Sequence, residues 1–304
     1  MFYKLLCEPA DLSLLKSLNS RMNLPLKEKQ NFLNLKKGYE GEQLFASMLE
    51  NQSGNWIVLH DLLLECSNNQ FQIDFLLLSQ KTVYLFEVKT FEGDYYIEND
   101  NWYIASTEIK DPLLQLKRSK SLLRRLLQEL GSTLVVEAYL VFVNPEFTLY
   151  QAPRNQSIIF PTQLNRFLQK LKLIPCTLNQ KHTALAEKLV ERRLHKSQYE
   201  RVLTYEYDHL EKGIVCTSCE AFMSLEGNEI ICGSCGCKED VDSAIIRNVS
   251  EFNLLFPDMR ITTNHIQDWC QVIPSKKTIR RVLMRDFVRL GHGKSSHFVY
   301  AIKK

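Results

Sequence analysis

Between residues 37 and 160 the apolar positions switch repeatedly between helical and strand spacing, the pattern of an α/β domain. The stretches NWIVLHDLLLE, FQIDFLLLS, TVYLFEVKT, NWYIAS and VVEAYLVFV predict strands. YEGEQLFASMLENQ and DPLLQLKRSKSLLRRLLQELG predict helices, the second with Asp111 as cap, Pro112 in the first turn and Gly131 as stop. Upstream, Leu12, Leu15 and Leu18 predict a short helical lead-in over 1–36, broken at Pro25. Residues 161–211 read as a polar helical connector that packs back on the domain or bridges outwards. Two cysteine pairs follow within 212–245, and 246–304 close the chain as a compact basic module.

Four polar side chains interrupt the most apolar part of this pattern, FQIDFLLLSQKTVYLFEVKT. A two-residue hairpin loop at Gln80 and Lys81 sets Asp74 opposite Glu87 and Gln72 opposite Lys89. Leu76, Leu85, Leu78 and Val83 then share their face, while Ile73, Phe75, Leu77, Tyr84, Phe86 and Val88 line the other. Both faces are apolar, so the sheet is expected to be covered on both sides. Like charges placed directly across a ladder destabilise it. Lys89 supplies one compensating charge, and a divalent cation between Asp74 and Glu87 supplies the rest; magnesium suits such oxygen ligands. A buried ion pair between Lys89 and one carboxylate is the alternative, but it leaves the second carboxylate without a partner at a cost of several kcal/mol. Two further polar residues lie on apolar helix stripes. Glu42 shares one with Phe45 and Leu49, where Gly38 and Gly41 would permit close approach to the sheet, and Gln115 shares one with Ser119, Leu122 and Leu126.

In order and context, GYEGE, QID, FEVK and DPLLQ resemble the nuclease-related domain, a branch of the PD-(D/E)xK nuclease superfamily, over roughly residues 37–150. The resemblance implies a restriction-endonuclease-like mixed sheet flanked by helices and a Mg²⁺- or Mn²⁺-dependent phosphodiesterase site. Asp74 and Glu87 would be metal ligands with the backbone carbonyl of Val88, Lys89 the catalytic lysine, Glu42 an accessory acid and Gln115 a bracing amide. Ile73 replaces the proline of the superfamily label, a departure that the branch tolerates. A competing EIK at Glu108–Lys110 abuts the helix start at Asp111 and lacks an apolar strand around it.

Cys216, Cys219, Cys232 and Cys235 form C-x2-C-x12-C-x2-C, which lets two knuckles present four thiolates to a structural Zn²⁺, as in a zinc ribbon. Cys237 is an alternative fourth ligand, and four buried thiols without metal are the bland alternative. Cys7, Cys66, Cys176 and Cys270 read as unpaired thiols of a reducing compartment. Beyond the cysteines, ITTNHIQDWC, QVIPS and KKTIRRVLMRDFVRL predict helix, turn and helix, with Thr262 or Thr263 and Ser275 as caps. GHGKSSHFVYAIKK would add a hairpin wing, so the module resembles a small winged-helix domain. Ile279, Val282, Leu283 and Phe287 are its inward positions; Lys276, Lys277, Arg280, Arg281, Arg285 and Lys294 are its candidate nucleic-acid contacts. A solvated basic helix without a ligand is the plainer alternative.

Charge sharpens that picture. Residues 246–304 carry 11 Lys or Arg against 4 Asp or Glu, a net +7 in a chain whose total is +3, so the tail suits an anionic partner. With 45% hydrophobic residues, no apolar run of membrane length and no secretion signal at the start, a cytoplasmic protein without a membrane partner is expected. The combined expectation is a metal-dependent nuclease acting on DNA. A non-catalytic nucleic-acid-binding regulator on a dormant nuclease fold and an RNA-directed nuclease are the alternatives.

Overall fold

The computed structural model describes residues 6–52, 54–154, 157–194 and 203–300. Its helices are α1 (Ala10–Arg21), α2 (Leu26–Glu50), α3 (Pro112–Glu129), α4 (Pro161–Lys172), α5 (Gln180–Glu191), α6 (Val241–Leu255), α7 (Thr263–Cys270) and α8 (Lys276–Asp286). Strands β1 (Ile57–Cys66), β2 (Asn69–Leu78), β3 (Thr82–Lys89), β4 (Gly93–Glu98), β5 (Asn101–Ile104), β6 (Thr107–Ile109), β7 (Val135–Phe142), β8 (Phe147–Tyr150) and β9 (Ile158–Ile159) build one region. The remaining strands are β10 (Ser224–Glu226), β11 (Glu229–Ile231), β12 (Lys238–Asp240), β13 (Val288–Leu290) and β14 (His297–Val299). The chain divides into two compact units, Met1–Glu8 with Asn34–Arg201, and Pro9–Leu33 with Val202–Lys304.

The first unit is mixed α/β. Its main sheet has the order β1-β2-β3-β7-β9, antiparallel from β1 to β3 and parallel from β3 to β9. One face packs against α3 and α5 through residues such as Leu123, Leu126 and Leu189; the other packs against α2 and α4 through Phe45, Leu49, Leu164 and Leu168. The double cover follows from strands apolar on both faces. It also places the polar segment after residue 160 back on this unit. A smaller sheet, β6-β5-β4-β8, flanks the main one in sequence; its hairpin turns at Asn99 and Asp100, both at positive φ. Glu108, head of the competing EIK, lies exposed on β6.

Three local features differ from the sequence expectation. First, α2 begins at Leu26, directly after Pro25, whose carbonyl accepts the N–H groups of Glu28 and Lys29. The run LKEKQNFLNLKK is rich in strong helix formers, which override the lone Gly38. Secondly, Gly38 faces open space, whereas a Cβ at Gly41 would collide with Thr90 Cγ2 and lie 3.2 Å from Val143 Cγ2. Close approach of helix to sheet therefore depends on Gly41 alone of the pair.

Thirdly, the alternation along β1 and β2 breaks. Their register steps from His60↔Phe75 to Leu62↔Ile73, passing over Asp61 and Asp74, and Asp61 sits at φ 48°. As a result Ile73 packs in the same cluster as Leu76, while Phe75 belongs to the opposite one. Ile73 thus departs from the face predicted for it. Beyond this point Gln72 is exposed, pairs with Leu63 of β1 and donates to Asp61, so it does not face Lys89.

In the second unit the inward residues of α6, α7 and α8 form the core, with Ile245, Phe252, Trp269, Ile279, Val282 and Leu283 buried. Helix α1 is part of it. Arg21, 2% exposed, donates to both carboxylate oxygens of Glu251 at 3.1 and 2.7 Å and to the carbonyls of Glu211 and Gly213, and its guanidinium lies 4.0 Å from the Trp269 ring centre. A buried guanidinium whose donors are met in this way ties the lead-in helix to that core.

Candidate active site

The two-residue turn closes as the sequence predicts. Ser79 N–H donates to the Thr82 carbonyl, and Phe75↔Phe86, Leu76↔Leu85, Leu77↔Tyr84 and Leu78↔Val83 follow in the expected register. Pairing ends at Phe75↔Phe86, one step before the two acids. There the Val88 N–H, which a continued ladder would direct to Ile73, donates instead to Asp74 Oδ2 at 2.7 Å. A side chain has replaced the backbone acceptor, and the strands separate at the site.

Glu87, 1% exposed, is the buried centre of the constellation. Its Oε1 accepts from Lys89 Nζ at 2.7 Å and from Gln115 Nε2 at 2.5 Å. Its Oε2 is buried and has no hydrogen-bond partner among the described residues. Lys89 lies two positions along β3 and hence on the same face. Gln115 stands in the first turn of α3, which Asp111 caps by accepting from Leu113 N–H at 2.7 Å, with Pro112 at the first helical position. Glu42 comes from α2, on the opposite face of the sheet, brought close by Gly41.

Electrostatics bind these groups into one cluster. Burial pushes the Asp74 carboxyl well above the usual range, Glu87 and Glu42 push it further, and Lys89 and the Val88 N–H only partly counter them. Burial also raises Glu42, to about 7, with Asp61 and Glu87 adding to the effect against Lys89. Burial works against the Lys89 ammonium, but Glu87, Asp74 and Glu42 more than offset it, so its pKa is raised and the ammonium form is held. Three interacting carboxylates thus share one cation.

Asp61 is a member of this neighbourhood that sequence reading missed. It repels Glu42, and it accepts from Arg193 Nη2 at 2.8 Å, a residue just beyond α5. The available signal was one aspartate inside the apolar strand IVLHDLLLEC.

Residues 37–143 match the nuclease-related domain. Residues 37–143 are thus similar to a nuclease-related domain, and Glu42, Asp74, Glu87, Lys89 and Gln115 all fall within that span. A similar solved structure is the small subunit (R.BspD6I2) of the heterodimeric restriction endonuclease R.BspD6I, with 14% identity over 60% of this chain and 86% of that chain at a TM-score of 0.22. No curated protein matches the chain.

Outside the nuclease-related domain, the sulfur atoms of Cys216, Cys219, Cys232 and Cys235 all lie within 4.8 Å of one another. Each pair sits on a knuckle whose turn residue has positive φ, Glu220 at 63° and Gly236 at 74°. Burial opposes ionisation of Cys216, yet the backbone N–H groups of Cys219 and Ser218 and the neighbouring thiols bring it down to about 6. Cys237 contributes a backbone carbonyl to Cys232 N–H and stands outside the cluster.

In the basic module Thr262 caps α7 and Ser275 caps α8, and β13 pairs with β14 as a hairpin. Lys276, Lys277, Arg280, Arg281 and Arg285 are exposed. Arg281 and Arg285, however, both hold Asp242 of α6, at 2.6 and 2.7 Å. Lys294 falls in a short 3-10 turn, Gly293–Ser295, and its side chain lies outside the described residues. Among the described residues no helix is long and apolar enough to cross a membrane.

Proposed function

We propose that the protein is a metal-dependent nuclease that hydrolyses phosphodiester bonds in DNA. The observation that carries this reading is the buried, donorless Glu87 Oε2 next to Asp74. A carboxylate oxygen withdrawn from water without a donor is costly, and a cation restores what burial removes. Asp74 and Glu87, with the Val88 carbonyl, are the residues that would hold Mg²⁺ or Mn²⁺; all are hard oxygen donors. Bound there, such an ion acts as a Lewis acid on a phosphoryl oxygen and acidifies water.

The chain's own groups then have distinct tasks. Gln115 fixes the orientation of Glu87 through Oε1, leaving Oε2 for the ion. Lys89, held as an ammonium by its acidic neighbours, supplies positive charge where a scissile phosphate becomes more negative. Glu42 lies where it can take up or release a proton near neutral pH. The four-cysteine cluster would hold Zn²⁺ in a closed, structural site. The helix-turn-helix and hairpin of the basic module would act as a winged helix that engages the duplex through Lys276, Lys277, Arg280, Arg281, Arg285 and Lys294.

The test is incubation of purified protein with Mg²⁺ or Mn²⁺ and plasmid, linear and single-stranded DNA, beside Asp74→Ala and Lys89→Ala. Cleavage by the wild type and its loss in both variants is the expected result. A wild type as inert as the variants on every substrate would leave the dormant, nucleic-acid-binding regulator and the RNA-directed nuclease as the alternatives.

A further inference from the structure

A basic cleft opens beside β9, whose Ile158 and Ile159 stand level with Glu87 and Val88 of β3. Its lining includes Arg154, Phe160, Gln163, Arg166, Phe167 and Lys170, with a volume of about 630 Å³ and no acid among its lining residues. The register sets its position. Val88 pairs with Val141, and Val141 with Ile159, so Ile159 stands level with Val88 two strands away. At about 4.8 Å per strand that separation is about 10 Å. Helix α4, which carries Arg166 and Lys170, packs on the same face of the sheet as α2, the helix of Glu42, and on the face opposite α3, the helix of Gln115.

Arg154, Arg166 and Lys170 are exposed, and none forms an ion pair among the described residues. Arg166 and Lys170 are spaced i and i+4 and so share one face of α4, while Arg154 comes from the loop between β8 and β9. The cations are thus spread along the cleft instead of converging on one point, which suits a polyanion over a single phosphate. Phe160 and Phe167, both half-buried, add apolar wall beside them. At one phosphate per roughly 3.4 Å along each strand, the distance of about 10 Å from Ile159, the near edge of the cleft, to Val88 corresponds to about three phosphates, and Arg166 and Lys170 lie further along α4.

We propose that this cleft binds the phosphodiester backbone of the nucleic-acid strand a few nucleotides from the scissile bond. The proposal rests on the nuclease reading for the identity of its ligand. Its test is made in the full chain carrying Glu87→Gln, so that binding is measured without cleavage. Affinity for fluorescein-labelled single-stranded DNA, duplex DNA and RNA of one sequence is titrated from 50 to 200 mM salt, with and without Arg154→Ala, Arg166→Ala and Lys170→Ala together.

Loss of three phosphate contacts should weaken binding by about tenfold and flatten the slope of log K against log salt by roughly 2 to 3. Loss on any of the three probes supports the cleft and identifies the strand form it takes. Arg154→Lys, Arg166→Lys and Lys170→Arg together should restore the slope, which a folding defect would not predict. Unchanged affinity and slope on all three probes, or no binding to any, would overturn the proposal. The two readings fail separately: a cleavage-inactive wild type that still binds through the cleft defeats the nuclease alone, whereas an active triple variant with unchanged KM and slope defeats the cleft alone.

Discussion

Gln115 donates to Glu87 Oε1 at 2.5 Å, from a helix turn that Asp111 and Pro112 fix in place. The amide occupies one carboxylate oxygen and thereby presents the other. Gln115→Ala should lower the apparent affinity for Mg²⁺ by about 10- to 100-fold, the usual effect of removing a group that orients a metal ligand. Saturating Mg²⁺ should recover much of the rate. The dependence of cleavage rate on Mg²⁺ concentration decides this, because a purely structural defect would lower the maximal rate instead.

The acidic cluster predicts an inverted pH dependence for the metal-free protein. Glu42 titrates at about 7 in the folded chain against 4.5 as its ordinary value, and Asp74 is raised as well. The folded state therefore binds more protons than the unfolded state, so the stability these groups contribute is greatest below about 4.5 and falls as pH rises to about 7. In chelator, thermal unfolding should move to lower temperature across that window. Mg²⁺ should reverse the change, and Glu42→Gln or Asp61→Asn should reduce it. An unfolding temperature that rises through the same window would contradict the burial of these carboxyls.

The hairpin register was legible because a two-residue turn and a period of two leave little freedom between Gln80 and the acids. Helix stripes likewise placed Glu42 beside Phe45 and Gln115 beside Ser119. The break at Asp61 was not legible, since an aspartate at positive φ looks in sequence like any polar residue in a strand. It is this break that frees Asp74 to take the Val88 N–H. Helix α6 was legible too, since Ala244, Ile245, Asn248, Val249, Phe252 and Leu255 repeat at helical spacing behind the Asp240 cap. The Asn99–Asp100 turn was a detectable hairpin signal.

Four sulfurs within 4.8 Å predict one tightly held Zn²⁺ per chain. Cys219→Ser should lose that zinc and unfold the small sheet of β10, β11 and β12, whereas Cys237→Ser should keep it. Metal analysis of the purified variants separates the two outcomes. Equal zinc loss in both would make Cys237 a ligand.

Arg281 and Arg285 are already engaged by Asp242, whereas Lys276, Lys277 and Arg280 are exposed and unpaired among the described residues. An arginine committed to a carboxylate must give up that contact before it can neutralise a phosphate, so the two groups should contribute unequally to binding. Lys277→Ala with Arg280→Ala should therefore flatten the salt dependence by close to 2, and Arg281→Ala with Arg285→Ala by less. Asp242→Ala should have the opposite sign, freeing Arg281, leaving Arg285 only its contact with Asp286, and tightening binding. A slope unchanged from the wild type in both double variants, with no gain from Asp242→Ala, would mean that α8 does not meet the nucleic acid through this face.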